Sequence, residues 1–174
     1  MVRPATPDEF ARVGELTVAA YRALAVDHLF GGYDERILDT ETRAREADVL
    51  VAVLDRRVVG SVTYAGDTAS EWSEWTEPGE VQFRLLAVDP ATRGEGAGAA
   101  LVRECMRRAE ATASTIMIHT TPWMQIAAGM YERLGFVRRP DRDVQYEEWK
   151  EDHFDLPGEW TGQAFLAYSW SATD

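Results

Sequence analysis

The chain has 174 residues, 45% of them hydrophobic, enough to fill one core and short for two, so one domain over residues 1–174 is expected. Its net charge of −12 opposes a phosphate backbone at long range, which excludes nucleic acid as a partner and mildly favours a cationic one, although acidity also serves plain solubility. No run is long and apolar enough to span a membrane and Met1-Val2-Arg3-Pro4-Ala5-Thr6 lacks the apolar stretch of a secretory signal, so no membrane and a cytoplasmic location are expected.

In chain order, Val2-Arg3-Pro4-Ala5 reads as a short strand. Thr6-Pro7-Asp8-Glu9 opens a helix, with Thr6 as cap, Pro7 in the first turn and Glu9 reaching back to the Thr6 N–H. Phe10, Val13, Leu16, Thr17 and Ala20 continue at helical spacing, predicting a helix from about Pro7 to about Val26. Gly31-Gly32 interrupts it, and a short amphipathic helix is predicted over Tyr33 to Glu46. Val49 to Leu54 and Val58 to Tyr64 flank a turn at Asp55-Arg56-Arg57 and predict a hairpin of β-branched residues. Ala65 to Gly79 is polar and turn-rich. It carries Trp72 and Trp75, which either cover a ligand or clasp a cation beside a site, or simply dock the loop on the core.

The next strand alternates Val81, Phe83 and Leu85 with Glu80, Gln82 and Arg84, until Leu86 sets two apolar residues side by side. An interrupted period of two predicts a β-bulge. Beyond it, Asp89-Pro90 turns the chain into Arg93-Gly94-Glu95-Gly96-Ala97-Gly98-Ala99, where three alternate glycines leave the backbone bare just as a helix begins. Free N–H groups there can approach an anion closely, so the stretch reads as a phosphate cradle. A Walker loop is excluded because no Gly-Lys-Ser/Thr follows Gly98. Gly94 to Ala99 satisfies the dinucleotide pattern G-x-G-x-x-A. Yet Pro90 and further residues separate it from the strand, and the following strand ends in His119-Thr120-Thr121 without a ribose-binding acid.

On the helix after the cradle, Leu101, Val102, Cys105, Met106 and Ala109 face inward, with Arg103, Arg107 and Arg108 on the polar side. Cys105 is the chain's single cysteine and reads as a small buried hydrophobe, and His28, His119 and His153 show no paired spacing, so no metal is expected. Thr115 to Thr120 is a strand, Pro122 to Leu134 a helix ended by Gly135, and Phe136-Val137 strand-forming. Arg138 to Gly162 is charged and gives no clear element, and Ala164 to Trp170 reads as a last strand closing the sheet.

Val88-Asp89-Pro90, the glycine-rich Arg93 to Gly98, and Met130-Tyr131-Glu132-Arg133-Leu134-Gly135-Phe136 together resemble the GNAT superfamily of acetyl-CoA-dependent N-acetyltransferases, whose signature pairs Arg/Gln-x-x-Gly-x-Gly/Ala with a downstream Tyr-x-x-x-Gly-Phe. The resemblance implies an α+β fold: a mixed, mostly antiparallel sheet split by a splayed parallel strand pair, with helices on both faces. It implies acetyl-CoA as co-substrate, its pyrophosphate held by Arg93, Gly94, Glu95, Gly96, Ala97, Gly98 and Ala99. The bulge would open a gap where the pantetheine arm meets backbone at Leu86, Ala87 and Val88. The region after the first helix forms a wall of the acceptor site in that family, which makes His28, Phe30 and Tyr33 candidates for substrate contact, beside Trp72, Trp75, Gln82 and His119. An asparagine seen in many relatives seven positions before the tyrosine is Met124 here, so one polar coenzyme contact is missing.

The implied reaction is acetyl transfer to a primary amine, small or peptidic, by direct attack. A lysine-like amine with a pKa of about 10.4 is only ~0.1% neutral near pH 7.4, a penalty of roughly 4 kcal/mol, so something must take its proton. Where the family often has a glutamate this chain has Gln82, which cannot accept one. Glu80, two residues earlier on the same face, is a substitute directly or through water, and His119 is an alternative; the base stays unassigned. Tyr131 occupies the position that hydrogen-bonds the coenzyme sulfur as it leaves. A non-catalytic acyl-CoA sensor on the same fold is the rival reading, Gln82 its best argument and Tyr131 its best objection. The sequence leaves the acceptor and the oligomeric state, homodimer included, open.

Overall fold

The computed structural model describes residues 1–23, 33–145 and 165–172. Its seven-stranded sheet has the order β1-β2-β3-β4-β5-β7-β6. The strands are β1 (Val2–Pro4), β2 (Asp48–Leu54), β3 (Arg57–Ala65), β4 (Glu80–Val88), β5 (Thr115–Thr120), β6 (Val137–Arg138) and β7 (Leu166–Trp170). All neighbours pair antiparallel except β4 and β5, which are parallel. The helices are α1 (Phe10–Arg22), α2 (Tyr33–Leu38), α3 (Thr40–Glu46), α4 (Ala97–Ala111) and α5 (Gln125–Arg133). The fold is the expected α+β arrangement.

Both faces of the sheet are covered. On one, Leu50, Val62, Val81, Phe83, Ile116 and Ile118 pack with Leu101, Val102 and Cys105 of α4 and Tyr131 of α5. On the other, Val18 and Ile37 meet Ala65 and Leu85, Leu16 and Ala20 meet Ala87, and Val13 meets Val49 and Val51. This is why β2 is apolar at consecutive positions rather than alternate ones. Cys105 is completely buried in the first cluster, and burial pushes its thiol pKa up, leaving an inert packing residue.

Most boundaries follow the local signals. Pro7–Glu9 forms a 3₁₀ turn ahead of α1, and the Glu9 carboxylate accepts the Thr6 N–H at 2.9 Å. Asp55 and Arg56 both take positive φ, 47° and 62°, the two-residue turn that matches strand twist. Gly135, at φ 91°, follows α5 as its left-handed stop. Three differences are informative. The helix expected over Tyr33 to Glu46 is broken at Asp39, whose carboxylate accepts the Thr42 N–H at 3.0 Å and starts α3 afresh. α5 begins at Gln125 rather than Pro122, after a turn closed by the Met124 N–H on the Thr121 carbonyl at 3.0 Å. β7 does not close an edge; it inserts between β5 and β6.

Two features of β4 shape the site. Ser61 pairs with Ala87 and Thr63 with Arg84, so two steps along β3 span three along β4. The extra residue is a bulge at Leu85–Leu86, with Leu85 at φ 51°. Beside it, β4 and β5 pair only at Glu80 with Thr115 and Val81 with Ile116. From Gln82 and Met117 onward the facing edges of these parallel strands are parted, leaving a seam through the middle of the sheet.

Candidate active site

At the bulge end of β4 the chain passes through Asp89, whose carboxylate accepts the Ala91 N–H at 3.0 Å and an Arg12 bond at 2.6 Å, fixing the turn into the glycine loop. Gly94 and Gly96 take φ of 91° and 82°, where a side chain is strained, and a Cβ on either would meet nothing within 4 Å. Gly96 is the N-cap of α4, and the first amide returned to the helix is that of Ala100, bonded to the Gly96 carbonyl at 2.9 Å. Among the described residues no acceptor takes the N–H of Gly94, Gly96, Ala97, Gly98 or Ala99; the Glu95 N–H has a long 3.4 Å bond to Thr92. Open space, spare donors and the positive end of a 15-residue helix suit a diphosphate. Gly98 serves packing as well, since a Cβ there would touch Val88 at 3.4 Å and Met130 at 3.6 Å.

Along the seam, Leu86, Ala87 and Val88 continue β4 past the bulge with their β5-side backbone unpaired. Tyr131 stands on the α5 side, 6% exposed, its ring against Phe83 at 5.8 Å and Phe136 at 5.6 Å. Burial and then the nearby Tyr21 phenol push its pKa well up, so it is a neutral hydroxyl at any working pH. Tyr21 belongs to α1, on the opposite face.

On the α1 face lie the groups expected to handle the acceptor. Since Val81, Phe83, Ile116 and Ile118 face α4, strand alternation sends Gln82 and Arg84 of β4 and Met117 and His119 of β5 to this side. Gln82, 2% exposed, accepts the Glu74 N–H at 2.8 Å, and Arg84 pairs with the Glu74 carboxylate. The Glu80 carboxylate accepts two bonds from Arg142, at 3.0 and 3.1 Å, and the Glu77 N–H at 2.8 Å. His119 is mostly buried: its Nε2 lies 3.1 Å from the Arg142 carbonyl oxygen, and among the described residues the buried Nδ1 has no hydrogen-bond partner. Burial, helped by the Arg142 and Arg84 charges, lowers its pKa to about 4.

The two loop tryptophans part company. Trp75 stands edge-on to His119, ring centroids 4.9 Å apart, and against Phe165 at 5.5 Å. Trp72 is a core residue, 3% exposed, with Nε1 donating to Glu46 at 3.1 Å; the cation over its ring, at 4.7 Å, is the chain's own Arg36. Tyr33 is the first residue of α2, and His28 and Phe30 lie outside the described residues. Arg142 went unmarked in the sequence, although it joins the 66–79 loop, through the Trp75 carbonyl at 2.9 Å, to β4 through Glu80 and to β5 through His119. Its partners lie 62 and 67 residues away, beyond any local pattern. Glu74 also went unmarked; its partners Gln82 and Arg84 lie just beyond the loop, in β4.

A sheet parted along a parallel seam, with an anion cradle at its mouth and a buried tyrosine beside it, defines an acyltransferase enzyme that works from a coenzyme thioester. The chain belongs to the acetyltransferase (GNAT) family, whose model matches residues 13–136. No curated protein matches the sequence. Among solved structures it is similar to a ribosomal-protein-alanine N-acetyltransferase from Brucella melitensis, at 18% identity over 98% of this chain and 99% of that one, TM-score 0.68. It is similar also to an N-acetyltransferase from Staphylococcus aureus Mu50, 17% identical over 98% and 97%, TM-score 0.65. A GNAT family acetyltransferase from Brucella melitensis, solved in complex with acetyl-CoA, is 24% identical over 79% of this chain and 82% of that one, TM-score 0.58. At these identities the likeness is one of fold. Among the described residues no helix is long and apolar enough to cross a membrane.

Proposed function

We propose that the protein transfers the acetyl group of acetyl-CoA to a primary amine by direct attack on the thioester, with no covalent enzyme intermediate. The observation that carries this reading is the alignment of spare amides at Gly94 and at Gly96 to Ala99 with the unpaired seam at Leu86 to Val88 and with Tyr131. Gly94, Gly96 and Gly98, with Arg93, Glu95, Ala97 and Ala99, hold the pyrophosphate. Leu86, Ala87 and Val88 hold the pantetheine arm, and backbone N–H groups polarise the thioester carbonyl, where preorganised donors act most strongly.

Attack makes the sulfur a leaving thiolate. Tyr131, neutral because it is buried, donates a hydrogen bond that strengthens as negative charge grows on sulfur; with its pKa raised above that of a thiol, partial rather than complete proton transfer is the cheaper course. The proton on the amine leaves toward Glu80, through water, or toward His119. The acceptor, a small amine or a peptide amine, lies on the α1 face against Gln82 and Trp75, with Tyr33 and His28 as further contacts. One domain over residues 1–174, cytoplasmic, alone or as a homodimer, completes the reading.

Thiol release from acetyl-CoA with a panel of amines tests it. Amine-dependent release is expected. Tight coenzyme binding with no turnover would favour the sensor reading, for which Gln82 and the ion-paired state of Glu80 speak.

A further inference from the structure

We infer that His119 Nδ1 is the atom that takes the acceptor's proton, with Arg142 as the positioning residue that fixes its tautomer; this rests on the acetyl-transfer reading above. A carbonyl oxygen only accepts hydrogen bonds, so the 3.1 Å contact between Nε2 and the Arg142 oxygen puts the ring proton on Nε2. Nδ1 therefore keeps a lone pair. Among the described residues that lone pair is buried without a partner, an uncompensated arrangement that a ligand's N–H would complete. It sits on β5 where the strand has parted from β4, on the same face as Gln82 and Arg84.

Glu80 is the weaker candidate for the same task. Both its oxygens are bonded by Arg142 and one also by the Glu77 N–H, and Glu80 lies where β4 and β5 are still paired. Its geometry makes it the anchor of Arg142. The Arg142 guanidinium is held by Glu80 and by the Trp75 carbonyl, so its own carbonyl is presented to His119, and Trp75 closes against the ring edge-on.

The step balances as follows. The neutral amine's lone pair bonds the thioester carbon and the nitrogen becomes cationic. One N–H proton passes to Nδ1, giving imidazolium, while the C–S bond breaks and the electron pair stays on sulfur as a thiolate hydrogen-bonded by Tyr131, which solvent protonates on release. The imidazolium returns its proton to solvent. Its neighbours are Arg84 on β4, Arg142 and Asp143 from the turn after β6, and no charge of its own strand; the two arginines favour the neutral ring between turnovers and Asp143 opposes them.

Two measurements test the inference. Long-range proton–nitrogen spectra of the imidazoles in the intact chain read the tautomer without any acceptor: a protonated Nε2 and bare Nδ1 at neutral pH are expected, and a protonated Nδ1 overturns the proposal. Steady-state rates then use whichever of spermidine, lysine or an alanine-terminated peptide is acetylated. His119→Gln, whose amide reaches the Nε2 position and keeps the Arg142 bond, should lower kcat by about 100-fold, leave coenzyme affinity within about twofold and abolish the acid limb of the kcat profile. Glu80→Gln should lower kcat by less than about tenfold. A His119→Gln enzyme close to wild type, or a Glu80→Gln enzyme as impaired as it, overturns the assignment. If the wild-type chain acetylates none of the three, the proposed function fails and the assignment that rests on it falls too, whereas a protonated Nδ1 or an unimpaired His119→Gln enzyme sinks the assignment alone.

Discussion

Lowering the pH protonates an unfolded chain's histidines long before it protonates His119. The ordinary histidine pKa is about 6.5, whereas His119 in the fold titrates at about 4. A depressed folded pKa contributes stability that is fully present above the unfolded value and lost as pH falls toward the folded one. For that pair of values, the loss between pH 7 and pH 4.5 is about 2.4 kcal/mol, and nearly all of it arises below about pH 6.5. In a chain of this length that corresponds to roughly 5–10 °C in Tm. Every carboxylate also responds to acid, so the quantity to measure is a double difference: urea unfolding of wild type and of His119→Gln at pH 7, 5.5 and 4.5. The wild-type stability should fall about 2.4 kcal/mol further than the variant's over that range. Parallel curves would refute the claim that His119 is held neutral by burial and by the arginines around it.

Three further predictions concern the rest of the site. Tyr131→Phe keeps the ring among Phe83 and Phe136 and removes only the hydroxyl, so kcat should fall about 10²–10³-fold with coenzyme affinity changed less than about twofold; steady-state kinetics beside calorimetric coenzyme titration checks this, and an equal loss of both would refute the role. Gly96→Ala places a Cβ in open space at φ 82°, so stability should fall by only about 1–2 kcal/mol, while coenzyme affinity falls at least about tenfold. Denaturant unfolding and coenzyme titration of the one variant separate the two effects. Arg142→Ala removes the bonds to Glu80 and to the Trp75 carbonyl, and with all three groups part-buried it should cost about 1–3 kcal/mol and speed proteolytic cleavage between residues 66 and 79.

What the sequence made legible is what local rules encode. The bulge at Leu85–Leu86 was readable because it breaks a period of two within a single strand, and the cradle because glycines at alternate positions leave few other uses for a helix start. The turn at Asp55-Arg56 and the stop at Gly135 are likewise properties of a few neighbouring residues. The break at Asp39 was hidden inside an amphipathic pattern that continues across it, because a capping carboxylate can start a helix wherever the chain has room to turn. The placement of β7 between β5 and β6 and the Arg142 clasp are settled by contacts between residues far apart in the chain. Trp72 shows the limit of composition as a guide: a tryptophan in a polar loop is as ready to be a core residue as a lid, and here Glu46 and Arg36 draw it inward.

The account turns on backbone amides at the start of α4 and past the β4 bulge receiving a coenzyme. Residue-resolved hydrogen exchange with and without acetyl-CoA measures those amides themselves. Slowing of at least about tenfold at Gly94, Gly96, Ala97, Gly98 and Ala99 and along Leu86 to Val88 is predicted. Unchanged exchange at those positions at a coenzyme concentration that saturates binding elsewhere, or no binding at all, would contradict it.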